Sequence, residues 1–248
     1  MSKGDYILSM DSTLLSLGVN AGEGHSVKAY IARTGGKTFT LEEHVEAMML
    51  SLLSANRPWK QIWDNKDKLK EVFHNYDITY LKETSPKVLM DSVCSIDCGN
   101  RAIMRQMQGV SGNVNILLRI NNIVGLENLV TRNHPYNVSD LLSSGYYKLN
   151  GFAQTLALQY LRNVGIDTCK PDVHIRRILA RLGIIPYEDC PVSNVMSAME
   201  QLSEELYKPI TLINEIVWAY GATGYGEVCT KVPKCCECNI KECSYRRE

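Results

Sequence analysis

Several features that define large classes of proteins are missing from this 248-residue sequence. It has no uninterrupted apolar run of about 18 residues, the length that a membrane-spanning helix requires. Its first residues also lack the basic, apolar and small-residue pattern of a secretion signal. We therefore expect an intracellular, cytoplasmic protein that has no membrane partner.

The sequence also lacks internal repeats, long linkers rich in proline, glycine or serine, and convincing strands of alternating polarity. Helix signals are common instead, such as a capping box over residues 40–43 and a proline at position 86 in a first turn. These patterns predict an all-α fold built from short helices. We expect one helix over residues 59–73 and separate helices over residues 102–108 and 111–121.

Neither sign of charge is in excess, because 27 lysines and arginines balance 27 aspartates and glutamates. This balance is uncommon for a nucleic-acid-binding protein, since contacts with phosphates require a basic surface. A neutral total is nevertheless compatible with one basic face, so the composition leaves nucleic-acid binding open.

Cysteine is unevenly distributed, because five of the nine cysteines lie in the last 20 residues. In a reducing compartment such a cluster indicates a metal site rather than disulfides. Four of them follow the pattern Cys229-x5-Cys235-x2-Cys238-x4-Cys243, and Cys236 is an extra one. Four thiolates suit an iron–sulfur cluster or zinc, and the spacing leaves open whether Cys235 or Cys236 is a ligand.

The segment from Leu149 to Arg177 carries the remaining candidate chemistry. A turn at Gly151 leads into an apolar helix over residues 155–164, which ends at Gly165, and Asp172 begins the next helix. A turn that opens a helix can hold an anion on its free backbone N–H groups. Asp172 is either a helix cap alone or also a group for acid–base or electrostatic catalysis.

This segment resembles the helix-hairpin-helix DNA glycosylases, the superfamily of endonuclease III and adenine glycosylase. Residues 149–155, LNGFAQT, match the hairpin without a gap, and residues 171–174, PDVH, match the catalytic segment that follows it. The cysteine loop resembles the 4Fe–4S loop of the same proteins, although its first and last intervals are one residue shorter. The resemblance extends from about Thr40 to Cys243.

The resemblance implies a role for particular residues. It makes Asp172 the catalytic aspartate. On the α-helix that ends near Asn56, it places Asn56 in the gap left by an extruded base, although Asn56 is equally suited to cap the helix C-terminus. Its other DNA-contacting positions are Arg57, Gly151, Ala153, Thr155, His174 and Arg176.

Three positions depart from the family pattern and narrow the expected activity. Ala153 replaces the second hairpin glycine. Thr155 replaces the lysine that forms a Schiff base in members with lyase activity, and a threonine cannot form an imine. Leu50 stands where the adenine-specific branch has a glutamate. We therefore expect a monofunctional glycosylase, with a glycosylase–lyase that uses Lys148 or Lys170 as the alternative.

The resemblance also implies an organisation and partners. It predicts two helical lobes, one over residues 40–160 with the hairpin and one over residues 1–39 and 161–248 with the catalytic aspartate and cysteine loop. The expected cofactor is a 4Fe–4S cluster, or alternatively zinc, and the expected partner of the monomer is double-stranded DNA with a damaged or mismatched base. Two other classes remain open, a non-catalytic iron–sulfur DNA-binding protein and a zinc-bound interaction module.

Overall fold

The computed structural model of the chain describes residues 2–55 and 57–246, and the regular structure within these ranges is helical throughout. The predicted all-α fold is therefore confirmed. The helices are α1 (Lys3–Ser16), α2 (His25–Thr34), α3 (Leu41–Leu53), α4 (Trp59–Asp64), α5 (Lys66–Val72), α6 (Ile78–Glu83), α7 (Pro86–Ser95), α8 (Ile103–Ile123), α9 (Leu126–Arg132), α10 (Pro135–Ser143), α11 (Gln154–Asn163), α12 (Val173–Arg181), α13 (Val192–Leu206) and α14 (Ile210–Gly221). None of these helices is both long enough and apolar enough to cross a membrane.

The chain divides into two compact units. The first unit contains Met1–Ala32 together with Asp167–Glu248, and the second contains Arg33–Ile166. The hairpin therefore lies in the second unit, whereas Asp172 and the cysteine loop lie in the first.

Helix α3 forms the centre of the second unit, where it packs against α8 and α11. Its N-terminus is fixed by the predicted capping box, in which Thr40 and Glu43 each accept a hydrogen bond from the other's backbone N–H group. The helix is buried from Ala47 to Leu53, including Leu50, which is 2% exposed. Burial on nearly every side is the expected consequence of its apolar sequence.

A charged network lies beside α3 in the second unit. The two terminal guanidinium nitrogens of Arg33 donate to the carboxylate of Glu127, at 2.8 and 2.9 Å. His44 lies between Glu127 (2.9 Å) and the hydroxyl of Tyr160 (2.6 Å). Burial raises the pKa of Glu127, but the hydrogen bonds from His44 and Arg33 outweigh that effect and lower it to about 2.

Two predicted helix boundaries are wrong. Residues 59–73 form two helices rather than one, because the chain bends at Asn65, whose side-chain amide donates to the Gln61 carbonyl at 2.9 Å. Conversely, the two predicted helices over residues 102–108 and 111–121 are the single 21-residue helix α8. Gly109 and Gly112 lie inside this helix without interrupting it.

Helix α14 forms the centre of the first unit, with α1, α12 and α13 packed around it. Its N-terminus has no cap from its own preceding residue. Asp167 supplies one instead, because its carboxylate accepts hydrogen bonds from the backbone N–H groups of Ile210 (3.3 Å) and Thr211 (2.8 Å). This contact attaches the loop before Asp172 to the core of its unit.

Candidate active site

The hairpin is a tight turn between α10 and α11. Leu149 and Phe152 are buried and hold it against its unit, and the Phe152 N–H group donates to the Leu149 carbonyl at 3.2 Å. Gly151 has a φ of +80°, a backbone conformation that favours glycine. A Cβ atom at this position would lie 3.1 Å from Leu52 Cδ1, so both conformation and packing select glycine here.

A pair of asparagines fixes the hairpin to α8. The buried side chain of Asn113 accepts a hydrogen bond from the Asn150 backbone N–H group at 2.6 Å and donates one to the Asn150 carbonyl at 3.1 Å. The Asn150 side chain adds a third bond to the same Asn113 oxygen, at 3.1 Å. Neither asparagine was expected to matter from sequence, since only the folded chain brings them together.

The far side of the hairpin exposes backbone donors. Within the described ranges, the N–H groups of Gly151, Ala153, Gln154 and Thr155 have no hydrogen-bond acceptor. Ala153 adopts an extended conformation, with φ of −96°, so an alanine replaces the family glycine here without backbone strain. Four open donors at the start of α11 are an arrangement that can hold an anion.

Asp172 is the N-cap of α12. Its Oδ1 atom accepts hydrogen bonds from the backbone N–H groups of His174 (2.9 Å) and Ile175 (3.2 Å). Its Oδ2 atom lies 3.9 Å from Lys170 Nζ, and only 16% of the Asp172 side chain is exposed. Capping therefore occupies one carboxylate oxygen and leaves the other beside a cation.

The loop that carries Asp172 is held firmly. The backbone N–H group of Lys170 donates to the side chain of Asn214 at 2.8 Å, and that of Asp172 donates to the Lys170 carbonyl at 2.7 Å. The ammonium group of Lys170 is on a side chain that is 17% exposed. Such burial is unusual for lysine and keeps its ammonium close to the carboxylate of Asp172.

His174 and Arg176, for which the resemblance implies DNA contacts, make contacts within their own unit. The ring nitrogen Nδ1 of His174 donates to the Gly221 carbonyl at 3.1 Å, and the ring packs edge-on against Trp218. Arg176 donates to the backbone carbonyls of Pro171 (2.9 Å), Glu188 (3.0 Å) and Cys190 (2.6 Å). These contacts position α12 and therefore Asp172.

Of the two DNA-contacting residues predicted after α3, Asn56 and Arg57, the structure describes only Arg57. Asn56 lies outside the described residues. Arg57 is half-buried, and its guanidinium donates to the Gly99 carbonyl and to the side chain of Gln61 (3.1 Å). Arg57 therefore connects the end of α3 with the segment before α8.

The four predicted cysteine ligands line one cavity, together with Val228, Pro233, Ile240, Arg181, Tyr245 and Arg246. Cys236 is exposed and is not among these lining residues. Burial thus distinguishes two adjacent cysteines that the sequence spacing could not separate. Across residues 2–55 and 57–246, no three His, Cys, Asp or Glu side chains surround a single point as ligands of one metal ion would.

Hydrogen bonds reach three of the four sulfur atoms. Arg181 Nη1 donates to Cys229 Sγ at 3.3 Å, and the hydroxyl of Tyr220 donates to Cys238 Sγ at 3.2 Å. The thiol of Cys243 donates to the Arg181 carbonyl at 3.5 Å. Burial raises the pKa of the Cys229 thiol, and the lowering effect of Arg181 only partly offsets this.

The described residues are helical throughout, with the hairpin in one unit and the capped aspartate in the other, and this fold is similar to that of a solved DNA glycosylase/lyase. A solved structure with a similar fold is that of the Methanocaldococcus jannaschii 8-oxoguanine glycosylase/lyase in complex with a 15mer DNA containing 8-oxoguanine. The TM-score is 0.54 and the sequence identity 15%, over 89% of this chain and 88% of that one. No protein-family model and no curated protein matches the sequence.

Proposed function

We propose that this protein is a DNA glycosylase of base excision repair, which hydrolyses the N-glycosidic bond of a damaged or mismatched base. The observation that carries the proposal is the fold shared, over 89% of the chain, with an 8-oxoguanine glycosylase/lyase. Because one fold hosts many activities, the proposal also depends on the chain's own residues. The hairpin donors and the placement of Asp172 both fit this chemistry.

In the proposed reaction, Asp172 acts on the sugar of the damaged nucleotide. As the bond to the base breaks, positive charge develops on the sugar, and the ionised carboxylate stabilises that charge. A water molecule then forms a bond to C1′ and gives up a proton, while the departing base takes up one. The Oδ2 atom is the oxygen for this role, since Oδ1 already accepts two backbone hydrogen bonds.

The open N–H groups at the start of α11 are proposed to bind a backbone phosphate of the DNA. They are Gly151, Ala153, Gln154 and Thr155, and they form a helix N-terminus at which negative charge is favoured. Neutral donors of this kind hold the phosphate without adding positive charge to the protein. Such binding agrees with a sequence whose net charge is zero.

A glycosylase with lyase activity is the second candidate, and one observation favours it. Lys170 Nζ lies 3.9 Å from Asp172 Oδ2, beyond hydrogen-bond distance, so a water between them would have to carry the ammonium proton to the carboxylate. The neutral amine would then attack C1′, displace the base and form an imine, which precedes strand cleavage. Lys148, the other lysine considered for this role, is exposed in the turn before the hairpin.

The four cysteines that line the cavity are proposed to hold a 4Fe–4S cluster. Their four soft sulfur donors suit an iron–sulfur group, whereas no three of them, within the described residues, surround a single point as the ligands of one zinc ion would. When bound, the cluster would supply four metal–sulfur bonds that close the loop from Cys229 to Cys243.

The function is tested by measuring release of free base from duplexes that each contain one lesion. We would include 8-oxoguanine, because the structural neighbour was crystallised with it. Base release from any of these duplexes supports the proposal, and DNA binding without release from the whole set contradicts it. Borohydride reduction during turnover, compared between the wild type, Lys170→Met and Lys148→Met, shows whether a lysine forms an imine.

A further inference from the structure

The sulfur atoms of the cysteine cavity receive hydrogen bonds from two different helices. Arg181, the last residue of α12, donates to Cys229 at 3.3 Å. Tyr220, near the end of α14, donates to Cys238 at 3.2 Å. Both are long side chains with almost no solvent exposure, at 7% for Arg181 and 1% for Tyr220.

Arg181 is committed to the cysteine loop through most of its polar atoms. Nη1 also donates to the Thr230 carbonyl at 2.7 Å and Nη2 to the Lys231 carbonyl at 3.2 Å, while the guanidinium lies over the Tyr245 ring. Its Nε atom is buried and has no acceptor within the described residues. A buried donor of this kind, on a side chain that lines the cavity, fits an acceptor in the cavity.

We propose that Arg181 and Tyr220 set the reduction potential of the cluster by donating hydrogen bonds to the sulfurs of Cys229 and Cys238. This inference rests on the proposed 4Fe–4S cluster and is independent of which base the enzyme removes. Both residues are positioning and tuning residues and take no part in the chemistry at the sugar.

The physical reason is electrostatic. A hydrogen bond to a ligating sulfur withdraws electron density and stabilises the cluster state that carries more negative charge, so it raises the reduction potential. The Arg181 contact has the larger effect, because its donor carries a full positive charge in a buried site. The Tyr220 hydroxyl is neutral and acts in the same direction with a smaller effect.

The experiment compares reduction potentials of the purified, iron-loaded protein and three variants, measured by potentiometric titration followed by spectroscopy. Arg181→Met and Tyr220→Phe each remove one donor and keep most of the side-chain volume. Arg177→Met is the matched control, since Arg177 is on the same helix and its side chain makes no hydrogen bond or ion pair within the described residues. Iron and acid-labile sulfide are counted in every sample.

For Arg181→Met we expect the reduced state to be disfavoured about tenfold, which is a potential about 59 mV lower for a one-electron couple. Tyr220→Phe is expected to shift the potential less, in the same direction, and Arg177→Met to leave it unchanged. If Arg181→Met does not retain iron, Tyr220→Phe decides the question, because it removes only one hydroxyl group. Loaded variants whose potentials coincide with that of the wild type would overturn the inference while leaving the cluster intact.

A different result would overturn the underlying assignment instead. If the wild-type protein contains zinc and neither iron nor sulfide, there is no such potential, and both the cluster and this inference fail. The glycosylase proposal is tested separately by base release and does not depend on that outcome.

Discussion

At the scale of single residues, Asp172 caps a helix with one carboxylate oxygen and keeps the other free of that role, so capping is compatible with the proposed catalysis. Its Oδ1 atom caps α12 and its Oδ2 atom faces Lys170. The motif around it predicts a helix start and a carboxylate, and both are present. The position of Lys170 was not predictable, because it depends on how Asn214 of α14 holds the intervening loop.

The capping role predicts a difference between two substitutions. Asp172→Ala removes the acceptor and is expected to lower the free energy of unfolding by about 1 kcal/mol, whereas Asp172→Asn keeps an acceptor oxygen and stays close to the wild type. Urea denaturation measures both. Ser85→Ala, which removes the cap of α7, is the control and is expected to lose similar stability while retaining base release. Equal stability of the alanine and asparagine variants of Asp172 would contradict the capping role.

The lowered pKa of Glu127 predicts how the free energy of unfolding depends on pH. Its pKa is about 2 in the folded chain against an ordinary value of 4.5, so the ionised carboxylate stabilises the fold above pH 4.5, and this contribution is lost as the pH falls towards 2. Because the group is partly exposed, we expect only about 1 kcal/mol. We would measure the free energy of unfolding of the wild type and of Glu127→Gln from pH 7 to pH 3. The wild type should be the more stable at neutral pH, and the two values should converge in acid. Parallel curves would show that Glu127 does not supply this stability.

At the scale of structural elements, α8 shows where prediction from sequence stops. The sequence analysis predicts two helices here, over residues 102–108 and 111–121, where the structure has one. In the folded chain a Cβ atom at Gly109 would lie 2.9 Å from Asn150 Cβ. The glycines allow the hairpin to approach α8 closely, a tertiary contact that is not encoded in local periodicity.

This contact predicts opposite outcomes for two similar substitutions. Gly109→Ala places a methyl group against Asn150 Cβ, which cannot move without the hairpin, so we expect lower stability and weaker DNA binding despite alanine's better helix propensity. Gly112→Ala meets only the amide end of the Asn150 side chain, which can rotate away and lose one hydrogen bond while the two bonds of the Asn150 backbone to Asn113 remain. It is therefore the matched control and is expected to be tolerated. Thermal unfolding and DNA titrations check both, and equal effects would argue against close packing at Gly109.

The start of α3 and the cysteine loop, in contrast to α8, have features that could be predicted from the sequence. The Thr40 capping box lies where the sequence predicts it, because capping depends on residues only three apart. The cysteine spacing likewise singles out Cys229, Cys238 and Cys243, which all line the cavity. Sequence could not separate Cys235 from Cys236, since which of the two faces the cavity depends on a single turn of the loop.

At the scale of the whole molecule, the neutral net charge constrains how the proposed DNA substrate could be held. If the hairpin N–H groups contribute much of the phosphate binding, few cations are released from DNA on association. We expect the logarithm of the binding constant to fall linearly with the logarithm of the salt concentration. Each neutralised phosphate adds roughly 0.9 to the magnitude of the slope, and we expect a total magnitude below about 4. Fluorescence anisotropy in a salt series measures this slope. A slope near −8 would indicate an extensive cationic surface and contradict the proposed mode of binding.

The central claim is that Asp172 catalyses removal of a base from DNA. The most direct test is single-turnover base release by the wild type and Asp172→Asn on the best lesion duplex from the panel. We predict that the variant folds, binds the duplex and releases base at least about 100-fold more slowly, since it keeps the helix cap and loses the carboxylate charge. A variant that releases base at the wild-type rate would show that the capped aspartate is structural alone and that the chemistry lies elsewhere.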